Sequence, residues 1–157
     1  MLLLSFKTMS LISSIGNLTP KGAEIAMTGA KAEANANNWK VTICVSDASG
    51  IPIHVQRLKG AFPASYEISV QKARTAALFQ KETSLLESTV NTNDGSSRTA
   101  LLSAPYVLMG GGIPIMMEGV CCGSIGVSGV TPDQDAQTAN AGLTAFMESI
   151  SISKSKL

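Results

Sequence analysis

The sequence is poor in aromatic and charged side chains. Phe, Trp and Tyr together make up 4% of its 157 residues, and charged residues make up 15%. Hydrophobic residues reach 45%, which is the opposite of the balance found in disordered chains. The length fits one domain, so we expect a single packed core built mainly from Ala, Val, Ile, Leu and Met side chains.

The charge of the chain is nearly balanced, with 12 Lys and Arg residues against 11 Asp and Glu residues. No cluster of cations stands out, whereas phosphate backbones are bound by grouped Lys and Arg side chains. No apolar run is long enough to cross a bilayer. The sequence therefore predicts neither a nucleic-acid partner nor a membrane partner.

The chain has three cysteines: Cys44, Cys121 and Cys122. An odd number rules out a complete set of intrachain disulfides. The two adjacent cysteines would point to opposite faces of a strand, which makes them poor partners for each other. We interpret all three as small core thiols of a protein in a reducing compartment.

The two ends of the sequence carry different signals. The first nine residues are apolar but lack the basic segment of a secretory signal, and Met9 is an alternative start. The last three, Ser155-Lys156-Leu157, match the tripeptide that peroxisomal import receptors bind. We therefore expect a eukaryotic, peroxisomal protein with the import receptor as a partner. The domain boundaries predicted are an N-terminal extension over 1–17, the domain over 18–150 and a C-terminal tail over 151–157.

Apolar periodicity predicts the order helix, two strands, two helices, three strands, helix. Thr19-Pro20 begins the first helix, and Ser84 with Glu87 has the spacing of a capping box. The turns 47–50 and 118–119 are short, so the strands that they join are antiparallel. The strands are expected near 41–45, 51–55, 106–109, 113–117 and 120–127, and the longer helices at 20–35, 62–79 and 131–150. The fold class is therefore α+β, with helices packed on an antiparallel sheet.

Two features are candidates for ligand binding or catalysis. The run Gly110-Gly111-Gly112 leaves backbone N–H groups uncovered, so it could bind a carboxylate, or it could be only a tight turn. Lys72 lies in the middle of a helix among small residues. It could be a counter-ion for a substrate, a base with a lowered pKa, or an ordinary surface lysine.

His54 is the only histidine, which limits several kinds of site. No Gly-x-Ser-x-Gly sequence accompanies it, and nothing pairs with it at the spacing of a zinc site, so no metal site is predicted. A structural histidine is the simpler interpretation, and a haem ligand is the alternative. The Glu82/Glu87 and Asp133/Asp135 pairs are typical of acids at helix N-termini rather than of a glycosidase.

Five motifs, in this order and at this spacing, resemble the GlcG/HbpS-like family, which includes the C-terminal domain of PduO-type proteins. The resemblance covers about residues 18–147. The motifs are Val45-Ser46-Asp47-Ala48-Ser49-Gly50, Lys72-Ala73-Arg74-Thr75-Ala76, Gly111-Gly112-Ile113-Pro114-Ile115, Gly123-Ser124-Ile125-Gly126-Val127-Ser128-Gly129 and Gln134-Asp135.

This resemblance implies a profilin-like layout of sheet and helices, and homo-oligomers. It also implies a pocket beside the turn that carries Asp47, the helix that carries Lys72 and the loop that carries Gly111, Gly112 and Pro114. Ser65 on the same helix and Lys59 before it are further candidate ligand-binding residues. The low charge and the Ala- and Met-rich composition also favour self-association.

The sequence departs from the family at two positions. Many members have a histidine directly after the turn glycine, which in haem-binding relatives can serve the metal, and this chain has Ile51 there. His54 comes three residues later and points to the other strand face. An acid is common where Lys59 stands. These differences predict weak or no haem binding, no required cofactor, and a different, acidic ligand.

Two classes of function follow. In the first, the protein binds a small organic acid or cofactor and has an accessory role in metabolism. In the second, it is a metal-independent isomerase, cyclase or lyase. Lys72 would then be the acid/base and Asp47 its partner, and the amides of Gly111 and Gly112 would hold an oxyanion.

Overall fold

A computed structural model describes residues 16–91 and 105–155, apart from the side chain of Lys154. Four helices and four strands are found there, in the order that the sequence predicts except for one strand. Both the α+β class and the antiparallel sheet with packed helices are confirmed. The elements are α1 (Pro20–Ala36), β1 (Thr42–Asp47), β2 (Pro52–Arg57), α2 (Ser65–Phe79), α3 (Thr83–Val90), β3 (Gly112–Met117), β4 (Val120–Ser128) and α4 (Pro132–Lys154).

The strands form one sheet in the order β2-β1-β4-β3, and all three pairings are antiparallel. The prolines of the sheet, Pro52 and Pro114, lie on the two edge strands, where a missing N–H removes no bond from the middle of the sheet. The β3–β4 hairpin turns at Glu118 and Gly119, which both have positive φ, as a two-residue type I′ turn requires.

One face of the sheet is apolar and packs on α1 and α4. Val45 pairs with Ile125 and Ile43 with Val127, so these four side chains lie on the same face. The two helices cover them with small residues and approach each other closely. A Cβ added at Gly29 of α1 would lie 2.5 Å from the Cβ of Ala145 in α4. This core needs few aromatic residues because the elements lie so close together.

The other face carries small polar residues and packs on α2. The Thr42 hydroxyl lies 2.7 Å from that of Ser65, and Ser124 donates to the Ala73 carbonyl at 2.6 Å. A Cβ at Gly126 would lie 2.1 Å from the Ser69 carbonyl oxygen, so only glycine allows α2 to sit this close. The helix is thereby fixed on the sheet by hydrogen bonds as well as by packing.

The cysteines are all buried and unpaired, as predicted. Burial raises the pKa of Cys44 to about 12 and also raises the pKa of Cys121 and Cys122. A thiol with a raised pKa holds its proton at neutral pH and is a poor nucleophile. The three side chains therefore serve the core.

Three local predictions were wrong. Residues 106–109 form no strand, because Val107 N–H donates to the Thr75 hydroxyl of α2 at 3.2 Å and not to a neighbouring strand. Helix α3 begins at Thr83 without a side-chain cap, since the Glu87 carboxylate binds another segment. Helix α4 continues four residues beyond Ile150, into the predicted tail.

Both long helices begin as predicted. The Thr19 hydroxyl caps α1 by accepting from Gly22 N–H, and Thr131 with Gln134 forms a capping box at α4. No helix within the described residues is both apolar enough and long enough to span a bilayer.

Candidate functional site

Lys72 is completely buried at the point where α2 faces β4 and the amino end of α4. Its ammonium donates to the Val127 carbonyl oxygen at 3.0 Å and to Asp135 Oδ2 at 2.8 Å. The side chain is therefore not a surface lysine, which was one of the three interpretations that the sequence left open. It is a buried cation with a buried carboxylate partner.

Asp135 lies in the first turn of α4 and is 2% exposed. Its other oxygen, Oδ1, accepts the backbone N–H of Val130 at 3.2 Å. Burial raises the pKa of Asp135, and the nearby charge and hydrogen bond of Lys72 oppose that rise. The sequence analysis correctly placed Asp135 at the start of a helix, but it did not identify Lys72 as its partner.

Gly111 packs closely against this ion pair. Its φ is +114°, and a Cβ there would lie 2.7 Å from the Cβ of Asp135 and 3.0 Å from Lys72 Nζ. Gly112 lies equally close to the backbone of Lys72, since its Cβ would be 2.5 Å from the Lys72 carbonyl oxygen. The glycines are thus required for close packing over the pair.

Two amide groups of the glycine loop, those of Gly110 and Gly112, are already occupied. Gly112 N–H donates to the Thr83 hydroxyl at 2.8 Å, and Gly110 N–H donates to Glu87 Oε2 at 2.9 Å. The loop therefore does bind a carboxylate, but it is one from the chain's own helix α3. Gly111 and Gly112 are buried, so a ligand does not reach them from solvent in this conformation.

Asp47 does not contact Lys72. Its Oδ1 accepts the backbone N–H groups of Ser49 at 2.9 Å and Ile51 at 2.8 Å, which holds the turn between β1 and β2. Gly50 in that turn packs against α2, because its Cβ would lie 3.0 Å from the Cα of Arg74. The turn and the lysine helix are therefore adjacent, but the acid/base pair proposed from the sequence is not formed.

The other predicted site residues are spread over the fold. Ser65 is buried and bonded to Thr42, Pro114 is buried on β3 opposite Ser124, and Lys59 is exposed after β2. His54 is half-buried on β2 and pairs with Val45, so it lies on the sheet face that α1 covers. None of these residues bonds to the Lys72–Asp135 pair.

Two surface cavities lie near the predicted pocket. The first has a volume of about 300 Å³, lies beside the β1–β2 turn and is lined by Ala48, Ser49, Gln80, Gly119, Val120 and Cys121. The second has about 270 Å³, lies beside the glycine loop and includes Glu87, Tyr106 and Met109 in its lining. No group of three or more His, Cys, Asp or Glu side chains that could hold a metal occurs in 16–91 or 105–155.

Replacing Lys72 by Met should lower the free energy of unfolding by about 3–5 kcal/mol, because Asp135 is left buried without its counter-ion. The double variant Lys72→Met/Asp135→Asn should recover part of that loss, since no unpaired charge remains. Denaturant unfolding measures both values.

The matched control is Lys21→Met, which breaks the exposed Lys21–Glu24 pair and should leave the free energy of unfolding nearly unchanged, because solvent screens exposed charges. An equal cost for Lys72→Met and Lys21→Met would contradict the structural role of the buried pair.

Comparisons with known proteins all point to one family. A family model described as "Haem degrading protein HbpS-like" matches residues 18–144. Protein GlcG of Escherichia coli K12 is 39% identical over 112 residues, which are 71% of this chain and 81% of GlcG.

Solved structures agree with that match. Klebsiella pneumoniae protein ORFY superposes with a TM-score of 0.80 at 28% identity, covering 87% of this chain and 94% of ORFY. A double mutant of Streptomyces reticuli HbpS gives a TM-score of 0.76 at 28% identity, covering 85% and 89% of the two chains. The resemblance predicted from the motifs is confirmed, and this chain belongs to the HbpS-like family.

Proposed function

We propose that this protein binds a small molecule and does not act as an acid/base catalyst through Lys72. The observation that carries the proposal is the state of the Lys72 ammonium, which is fully buried and bonded to Val127 and Asp135. A general acid or base must come within hydrogen-bond reach of its substrate. The Lys72 side chain has no exposed surface at which a substrate could reach it in this conformation.

The isomerase, cyclase or lyase alternative requires Lys72 and Asp47 to act together. Asp47 Oδ1 is instead shared by two N–H groups of its own turn, and the carboxylate beside Lys72 is that of Asp135. The alternative is left without the acid/base pair on which it was based, so binding is the better supported function.

We place the ligand in the 300 Å³ cavity beside the β1–β2 turn. Its size is at the lower end of small-molecule sites. Ser49 and Gln80 contribute hydrogen-bonding side chains to the lining, and Val120 contributes an apolar wall. The second cavity is less suited to an acidic ligand because the Glu87 carboxylate lines it.

The class of ligand proposed is a small organic acid. No charged side chain lines the first cavity, whereas Glu87 lines the second. The carboxyl end of α2 lies here and would disfavour an anion. However, the Ala76 and Ala77 carbonyls accept the N–H groups of Lys81 and Gln80, which reduces that effect.

Haem is the second candidate ligand, because the family description refers to haem. The described residues fit it poorly. Ile51 occupies the turn position after Gly50, and His54 lies on the face covered by α1, away from the α2 side. Cys121 lines the cavity, but burial raises its pKa, and a protonated thiol is a poor metal ligand. We therefore propose weak haem affinity.

Peroxisomal residence and self-association complete the proposal. The first is based on Ser155-Lys156-Leu157, of which Ser155 is exposed at the end of α4 and the other two lie outside the described residues. The second is based on the composition and on exposed hydrophobic side chains such as Ile51 and Tyr66.

The ligand proposal predicts that some short mono- or dicarboxylic acids raise the melting temperature, whereas their amides do not. Ser49→Glu should weaken acid binding at least about tenfold, because it puts a negative charge in the cavity lining. Ser49→Gln introduces a side chain of the same size as glutamate but without a charge. It is the matched control and should retain most of the affinity. Calorimetric titration measures these affinities.

One result would contradict the placement of the site, and another would contradict binding as the function. If Ser49→Glu binds an acid as tightly as the wild type, the site lies elsewhere, and Glu87→Gln tests the second cavity. If chromatography shows an acid converted to product by the wild type but not by Lys72→Met, the protein is an enzyme.

Titration with hemin should produce no sharp shift of the Soret band at micromolar concentrations, because the described residues present no histidine to the turn. A sharp shift that disappears in His54→Ala would show that His54 ligates haem in this chain.

A fluorescent protein fused to the amino end should appear in puncta that coincide with a peroxisomal marker in a eukaryotic cell. Deletion of 155–157 should make the fluorescence diffuse, because the receptor reads the tripeptide at a free carboxyl end. Diffuse fluorescence from the undeleted fusion would exclude peroxisomal targeting.

A further inference from the structure

The cavity beside the β1–β2 turn has one lining residue whose backbone conformation is unfavourable for any residue with a side chain. Two of the lining residues have positive φ, namely Gly119 at +81° and Gln80 at +53°. Glycine adopts such angles without strain because it has no Cβ. Gln80 adopts them with a full side chain, at the wall of the cavity that the end of α2 provides.

Gln80 ends helix α2 in a hydrogen-bonding pattern that usually contains glycine. Its backbone N–H donates to the Ala77 carbonyl and the Lys81 N–H donates to the Ala76 carbonyl, both at 3.3 Å. With φ +53° and ψ +37°, Gln80 occupies the left-handed position of this pattern. Glycine is the commonest residue at that position, since a Cβ is unfavourable in a left-handed backbone. The glutamine therefore lowers the stability of the helix end relative to glycine.

The side chain of Gln80 makes no contact among the described residues that would offset this loss of stability through hydrogen bonding. It is exposed, and its amide forms no hydrogen bond with another residue of 16–91 or 105–155. The other polar lining residues are Ser49 and Cys121, and the Cys121 thiol already donates to the Gly123 carbonyl oxygen at 3.3 Å. Residues held in unfavourable backbone conformations are concentrated at ligand-binding sites. The Gln80 amide is thus held at the cavity with its hydrogen-bonding groups available to a ligand.

We propose that Gln80 determines the specificity of this cavity by donating hydrogen bonds from its side-chain NH2 group to the carboxylate of the ligand. The inference rests on the proposed function, because it assumes that a small organic acid binds here. A glutamine amide offers two N–H donors and carries no charge. It can therefore hold a carboxylate in a lining that has neither lysine nor arginine. Stability is lower at the end of α2 in exchange for affinity, which is a common relation between stability and function.

Gln80→Gly should change stability and binding in opposite directions. It should raise the melting temperature by about 1–3 °C, because glycine relieves the left-handed strain. It should weaken the binding of a carboxylate at least about tenfold, because a hydrogen bond to a charged group is lost. Calorimetric titration at a fixed temperature with acetate, lactate, malonate and succinate measures the affinity, and scanning calorimetry without an acid measures the melting temperature.

Three further variants separate the amide from the backbone. Gln80→Ala removes the amide but keeps a Cβ in the left-handed position, so it should weaken binding as much as Gln80→Gly without raising the melting temperature. Gln80→Glu should reject the acids and bind their amides, because a carboxylate accepts N–H groups and repels a second carboxylate. Asn38→Gly is the matched control. Asn38 is also left-handed, with φ +58°, but it precedes β1 and lies outside the cavity lining, so the affinity should stay unchanged.

The outcomes distinguish the role of Gln80 from the existence of the site. Binding that is lost in Ser49→Glu but kept in Gln80→Gly and Gln80→Ala would leave the cavity as the site and overturn the role of Gln80. A wild type that binds none of the four acids would overturn this inference together with the ligand proposal. A melting temperature of Gln80→Gly at or below that of Gln80→Ala would overturn the conclusion that the glutamine is held against the preference of the backbone.

Discussion

The buried ion pair between Lys72 and Asp135 is the contact on which the arrangement of the candidate site depends. It joins the middle of α2 to the first turn of α4, and the Val127 carbonyl ties both to the end of β4. A buried lysine is costly unless its charge is paired and its N–H groups are bonded. Little space is therefore left around the pair, and the backbone at Gly111 passes close to it with a positive φ.

The two faces of the sheet differ in how they hold the helices that pack on them. The apolar face forms a core with α1 and α4 that is held by close packing of small side chains. The face toward α2 instead bears hydroxyl groups with specific partners, such as Thr42 with Ser65 and Ser124 with the Ala73 carbonyl. Hydrogen bonds between buried groups are directional, so they fix the position of the helix along the sheet as well as its distance.

The position of α2 also bears on the proposed ligand cavity. Gln80, which follows the carboxyl end of α2, and Ser49 of the β1–β2 turn both line that cavity. The turn packs on Arg74 of α2, so the helix and the turn hold the cavity walls in place together.

By itself the sequence determined the fold class, the carboxyl end of α2, the beginnings of α1 and α4, and the family, because these depend on local periodicity, capping residues and motif spacing. It also singled out Lys72 and the glycine loop as candidate functional features, and it placed Asp135 at the start of a helix. It assigned Asp47 to Lys72 and an open anion site to Gly111 and Gly112, and it extended the sheet to 106–109. Only the tertiary structure decided these points. The partner of Lys72 comes from 63 residues away, Glu87 reaches the Gly110 amide across 23 residues, and Thr75 takes the N–H group of Val107 across 32. Such partners are chosen by how α2, α3 and α4 pack around the sheet, and local sequence patterns do not encode that packing.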